Sequence, residues 1–450
     1  MDRLLKASRF KVRASLLAAL CLLTAGGPRP GLLAAETSLP VTHYQLKNGL
    51  QVVFSEDYTL PLISLTVIYR VGSLHDPAGK TGLAYLLENL MFLGSSNVSQ
   101  MQHISFINRT GGTLNAATLE DRTLYYQTVP SNQLALVLWL ESDRMRSLEI
   151  TPAKVEAAKE ELIAEIQNRM QESPYLDTYF RFDRMLYPDP ALSHPVIGRP
   201  EDIRSITAED IQNFYRQFYS PNNALLCISG SFNTLTLREL VSRYFESIPR
   251  GPDPPPSPAF PGFVKETRTE SIKSIRIPIP GFHLAFRIHN PRPDDLYSLT
   301  LIDYLLCRGK TSRLVKRLVT RDRLANQLTG GLEKRNGLAA YRIFVTNTTE
   351  LVSHQCLEAL FSELDRLRAS FVSEEELSKA KNLYKRDLFD RLGINVDKTL
   401  YLGDLFLSRL LPDGAFLELE RTLQVTPQAI AVLLNRYFNR KNCIILKIQK

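Results

Sequence analysis

Four thiols in the body of the chain, Cys227, Cys307, Cys356 and Cys443, are the side chains best suited to hold a metal or form cross-links. Thiolates at a C-x2-C type of spacing would grip zinc. No two of these stand at such a spacing. Cys227 sits in ALLCISG and Cys443 in NCIILKI, apolar runs that read as buried strands, so the expectation is four buried thiols rather than disulfides. Charge offers no better lead. There are 55 Lys and Arg against 47 Asp and Glu, a formal +8. Six of those basic side chains and one acid lie in residues 1–35, which leaves 49 against 46 elsewhere. No basic stripe remains, and nucleic acid is not an expected partner.

The elements that must position any site follow from length and pattern. The chain has 450 residues, 44% hydrophobic and 23% charged, as in a globular protein of two to four domains. Residues 1–13 are basic, 16–25 (LLAALCLLTA) are apolar, and the small-residue stretch GLLAAE follows. This is the pattern of a secretory signal peptide over 1–35, with cleavage expected after Ala35. It points to a periplasmic or secreted protein. The alternative, a mitochondrial presequence, fits the arginines but not the compact apolar block or Asp2. No apolar run after residue 40 approaches the ~20 residues of a spanning helix, so the mature chain is expected to have no transmembrane segment.

Residues 249–264 are dense in Pro and Gly, and no strand or helix interior tolerates that. They read as a linker between domains at 40–248 and 265–450. The two parts repeat one another. ITAEDIQNFYRQFYSPNNALLCISG (206–230) aligns without gaps onto VTPQAIAVLLNRYFNRKNCIILKIQ (425–449). Each has a Thr N-cap (Thr207, Thr426), an amphipathic helix, a polar turn at Asn223 or Asn442, and an apolar strand. Residues 150–166 align onto 372–388, a capped helix, and the strand 64–70 onto 283–289. One plan is used twice. Each half reads as α+β, a mostly antiparallel sheet with helices packed on one face.

Three segments in the first half carry a specific resemblance: YRVGSLHDPAGKTGLAYLLENLMFLGS (69–95), GGTLNAATLEDRTLYYQTVP (111–130) and KEELIAEIQNRM (159–170). With the duplication, the chain resembles the pitrilysin/insulinase (inverted-zincin) metallopeptidase family over residues 40–450. The likeness is to its short two-domain members, which include the mitochondrial processing peptidase subunits. The resemblance implies two duplicated domains forming half of a clamshell chamber. It also implies a zinc site built from His-x-x-Glu-His on one helix and a distal Glu, with the motif Glu as general base.

On this chain the motif falls on Tyr85-Leu86-Leu87-Glu88-Asn89, and the distal Glu maps to Glu165, 77 positions after Glu88. Glu88, the remnant of the base, is kept, and both histidines are replaced. A phenol has a reference pKa near ~10 and must lose its proton to bind zinc near neutrality. An amide oxygen suits calcium better than zinc. His75 and His103 are the nearest histidines in sequence, and neither sits a helical turn from Glu88. The expectation is that Tyr85, Asn89 and Glu165 hold no metal, that no cofactor is bound, and that no residue is catalytic. In the family a second-domain Arg and Tyr, seven apart, grip the substrate. Those positions fall on Val319 and Asn326.

What the resemblance leaves intact is the strand 113–129, an edge strand with which a peptide pairs, Asn115 and Ala116 facing its backbone. The resulting expectation is a pseudopeptidase subunit that binds peptide substrates and pairs with a homologous active metallopeptidase subunit. The alternatives are an active zinc metalloendopeptidase with atypical ligands, and a structural core-type subunit of a larger complex.

Overall fold

A computed structural model describes residues 39–187, 189–256, 260, 262–263, 266–335, 337–408 and 414–450. The signal-peptide expectation, with Ala35, lies outside the described residues, as does part of the linker. Residues 249–256 form no regular element. Residues 39–450 make one compact unit containing two sheets.

The first sheet comprises β1 (Thr42–Gln45), β2 (Gln51–Glu56), β3 (Leu62–Tyr69), β4 (Thr113–Thr118), β5 (Thr123–Pro130) and β6 (Ala224–Gly230), in the order β1-β2-β6-β3-β5-β4. The second comprises β7 (Arg268–Lys273), β8 (Gly281–Ile288), β9 (Gln327–Arg335), β10 (Leu338–Thr346) and β11 (Cys443–Gln449), in the order β7-β11-β8-β10-β9. With β1 set aside the two orders superpose strand for strand. Each sheet has a single parallel pair, β2 with β6 and β7 with β11. The duplication read from the sequence is therefore a duplication of topology.

The repeated local signals behave alike. The Thr207 hydroxyl accepts from the Asp210 amide at the start of α4 (Ala208–Phe218), and Thr426 does the same for Ala429 at the start of α8 (Pro427–Tyr437). After each helix the turn asparagine closes back on it: Asn223 Nδ2 donates to Phe218 O at 2.9 Å, and Asn442 Nδ2 to Tyr437 O at 2.8 Å.

Helices α1 (Leu83–Leu90) and α2 (Pro152–Glu172) cover one face of the first sheet together with α4. Helices α5 (Pro293–Leu306), α6 (Glu374–Gly393) and α8 cover the matching face of the second. The opposite face of each sheet is covered by a helix from the other half. Helix α7 (Asn395–Leu407) sets Leu402 among Val53, Ile68, Leu225 and Cys227. Its Gly403 lies so close to β3 that an added Cβ would stand 2.3 Å from Ile68 Cδ1. Helix α3 (Leu176–Leu186) sets Phe182 and Leu186 against Ala285, Ala340 and Leu446. This exchange is why β6 and β8 are buried along their whole length and read as continuous apolar runs. No helix among the described residues is long and apolar enough to cross a membrane.

Cys227, Cys356 and Cys443 are buried as expected, whereas Cys307 is half-buried. All four are free thiols.

Candidate functional site

Helix α1 starts where Gly82 takes φ +91°, a left-handed turn in which a Cβ would meet Ile197 O at 2.7 Å. The Asp76 carboxylate then closes the helix start, accepting from the amides of Gly82 (2.7 Å) and Ala84 (2.9 Å). With the helix fixed there, Glu88 points at β4. The Thr118 hydroxyl donates to Glu88 Oε2 at 2.5 Å. Glu88 is 7% exposed. Desolvation raises its pKa, the nearby Glu165 raises it further, and the Thr118 hydrogen bond partly offsets both.

Tyr85, one turn earlier, faces α2. Its hydroxyl donates to Glu165 Oε1 (3.1 Å) and accepts from Arg169 Nη2 (3.0 Å). Arg169 also pairs with Glu165 at 2.5 Å, an i,i+4 pair along α2, and its guanidinium lies 5.9 Å over the Tyr85 ring. Burial and the Glu165 charge push the Tyr85 phenol up to about 12. The structure brings Tyr85 and Glu165 into hydrogen-bonding contact, with Glu88 close enough to feel the Glu165 charge. Asn89 is half-buried on α1 and takes no part in this hydrogen bonding.

Two members of the cluster were not picked out from the sequence. Arg169 was legible in principle, four residues after Glu165 on one helix face. Thr118 reaches Glu88 only because β4 lies beside α1, which no local pattern reports.

The residues present do not fit a zinc ion. Tyr85 stays a neutral phenol at physiological pH, and an arginine already balances the Glu165 charge. Glu88 is bonded to Thr118. Among the described residues no group of three or more His, Cys, Asp or Glu could hold a metal. The nearby histidines are engaged elsewhere. His103 is buried 3.3 Å from Gln127 Oε1, and desolvation pushes its pKa down to about 3, so it is neutral. His75 Nδ1 accepts from the Gly72 amide at 3.3 Å.

β4 is the outer strand of its sheet, as expected. Asn115 and Ala116 lie opposite Tyr126 and Tyr125 of β5. Asn115 is exposed, and its Oδ1 accepts from the Ala116 amide at 2.8 Å, covering that donor.

In the second half Val319 lies in the π-helical turn Val315–Arg321 and packs on the core. Asn326 is exposed, its backbone amide held by Thr346 O at 2.9 Å. Neighbouring arginines do not stand in for a gripping pair: Arg317 is bonded to Glu363 at 2.9 Å and Arg321 to Asp322 at 2.7 Å.

Residues 51–181 match the family described as insulinase, peptidase family M16, and residues 205–384 match the peptidase M16 inactive domain. The chain belongs to the M16 peptidase family. The zinc protease PqqE of Helicobacter pylori is 27% identical over 368 residues, covering 78% of this chain and 80% of that protein. A crystal structure of a protease from Helicobacter pylori has a TM-score of 0.85 at 25% identity, over 91% of this chain and 99% of that one. The first half of the periplasmic protease PqqL of Escherichia coli shares the fold at TM-score 0.74 and 18% identity, over 91% and 92% of the two chains. Tyr85, Glu88, Asn89 and Glu165 all fall in the segment matching the peptidase description, not in the segment matching the inactive domain. Tyr85 and Asn89 therefore stand in the half of this chain that matches the peptidase description.

Proposed function

We propose that this chain is a non-catalytic M16 protein that binds peptides and pairs with a homologous subunit carrying an intact zinc motif. The observation that carries the reading is the Tyr85–Glu165–Arg169 cluster. Where the family places two imidazoles and a carboxylate, this chain has a neutral phenol, an amide, and a carboxylate neutralised by a guanidinium from its own helix. Without a metal, nothing brings the pKa of an attacking water from about 15.7 toward 7. Glu88 is tied to Thr118 and, without a metal, would face a water of ordinary acidity.

Peptide binding makes no such demand. Strand addition uses backbone groups, and β4 is an open edge. An incoming carbonyl would take the Ala116 amide from Asn115 Oδ1. An exported, periplasmic location is supported by the leader-like N-terminus and agrees with the PqqL likeness.

The test is cleavage of a mixed peptide library by the full chain alone, with zinc present, alongside the Glu88→Gln variant. We expect the same background from both. Zinc-dependent turnover that disappears in Glu88→Gln would favour the second reading, an active peptidase with unusual ligands. Glu88 and Glu165, both retained at one site, are what speak for that reading. Adding a candidate subunit with the intact motif should produce a stable complex whose activity does not depend on Glu88 of this chain.

A further inference from the structure

Helix α2 has a second face. One residue on from Glu165 and from Arg169, Ile166 and Met170 line a cavity of about 720 Å³, with Gln167 and Gln171 of the same helix beside them. Phe180 of α3 closes one side. The opposite wall runs through residues 195–201, where Gly198 packs so tightly on the start of α1 that an added Cβ would meet Thr81 O at 2.4 Å. The β7–β8 loop of the second half completes the rim with Arg276.

Three arginines ring this apolar floor: Arg184 from α3, Arg199 from the wall and Arg276 from the loop. Among the described residues none of the three has a carboxylate within ion-pairing distance, although the chain pairs arginines with acids at many other places. Glu201 is the one acidic side chain in the lining and is likewise unpaired, leaving an excess of two positive charges. The volume lies within the roughly 300–1,000 Å³ of ligand sites. Guanidinium forks match carboxylates in shape and charge, and the floor offers apolar contact beside them.

We propose that this crevice binds a peptide segment presenting a carboxylate next to an apolar side chain, the carboxylate between the arginines and the side chain on Ile166, Met170 and Phe180. The proposal rests on the peptide-binding reading above and deepens it by giving the class of peptide. The carboxylate comes either from a peptide C-terminus or from an internal Asp or Glu. Because Arg276 belongs to the second half, an occupied crevice ties the β7–β8 loop to the first.

The experiment uses the full chain and a fluorescein-labelled peptide of apolar residues with one internal Glu and a free C-terminus, read by anisotropy in low salt. Arg184→Glu and Arg276→Glu, both at exposed positions, should each weaken binding at least about tenfold. Arg243→Glu, an identical charge change on an exposed helix position outside the crevice lining, should leave it within about twofold. A C-terminally amidated peptide and a Glu→Gln peptide identify the source: the one that loses binding names the carboxylate in use. Equal affinity for both, no effect of the two crevice variants, an equal effect of Arg243→Glu, or no binding at all would each overturn the proposal. Peptide binding that survives Arg184→Glu and Arg276→Glu but is lost in Ala116→Pro would reject the crevice while leaving the β4-edge reading intact.

Discussion

The two halves can be compared at equivalent places, helices α1 and α2 against α5 and α6. In the first, Tyr85 on α1 bonds Glu165 on α2, with Arg169 beside it. In the second, Tyr304 on α5 donates to Asp387 Oδ2 on α6 at 2.9 Å, and Arg386 pairs with the same carboxylate. The offsets agree with the alignment of the halves: Asp387 is the partner of Glu165 when 150–166 is laid on 372–388. Both phenols are pushed above their ordinary range by burial and the facing carboxylate. The helix pairs of the two halves thus share one arrangement. A tyrosine–carboxylate tie holds two helices together and needs no metal. What still distinguishes them stands three residues after each tyrosine, Glu88 in one half and Cys307 in the other. Glu88 keeps a buried carboxyl against Thr118, and Cys307 is a thiol that burial raises to about 12.

The comparison breaks most visibly if the first half can be returned to metal binding. Tyr85→His with Asn89→His should convert a chain that retains no zinc after dialysis into one that retains about one equivalent, a gain well beyond ~100-fold in affinity, read by metal analysis. The exchanged helices come next. Phe182→Ala on α3 and Leu402→Ala on α7 remove side chains buried against the other half's sheet, and should cost about 3–5 and 2–4 kcal/mol by urea unfolding. Loss of only one half's signal in either variant would show that the halves fold independently. Tyr85→Phe and Tyr304→Phe sharpen the comparison, since each removes one hydroxyl from a partly exposed tie. Each should cost about 1 kcal/mol, with neither exceeding the other by more than twofold.

The smallest effect is the pH dependence of Glu88. Its pKa is raised in the fold, so the neutral form contributes stability below the ordinary carboxylate range, and that contribution is lost as pH rises through the folded value. Glu88→Gln keeps an acceptor for Thr118 and does not titrate. The variant should match the parent in acid and become the more stable of the two as pH rises toward 8, by thermal melts across that range.

Much of the fold was legible because its signals are local. The capping threonines, the turn asparagines and the apolar runs at 224–230 and 443–449 repeat at a fixed offset, and each acts within a few residues. The exchange of α3 and α7 was not legible. Helix periodicity shows that Leu402 and Phe182 seek burial, but not that the sheet receiving each belongs to the other half. At the site, the family spacing pointed to Tyr85, Glu88 and Glu165, and the structure sets these three near one another where α1 meets α2. Thr118 depends on strand placement, and the arginine-ringed crevice gathers residues from four separate segments, so neither could be read along the chain.

On the proposed reading, the exchange of two imidazoles for Tyr85 and Asn89 leaves no zinc site on α1. The most direct test is a crystal of the full chain grown with excess zinc and measured at the zinc absorption edge. The account predicts no anomalous peak between α1 and α2, with Arg169 still against Tyr85 and Glu165. A strong peak there, bound by Glu165 with Arg169 swung aside, would contradict it.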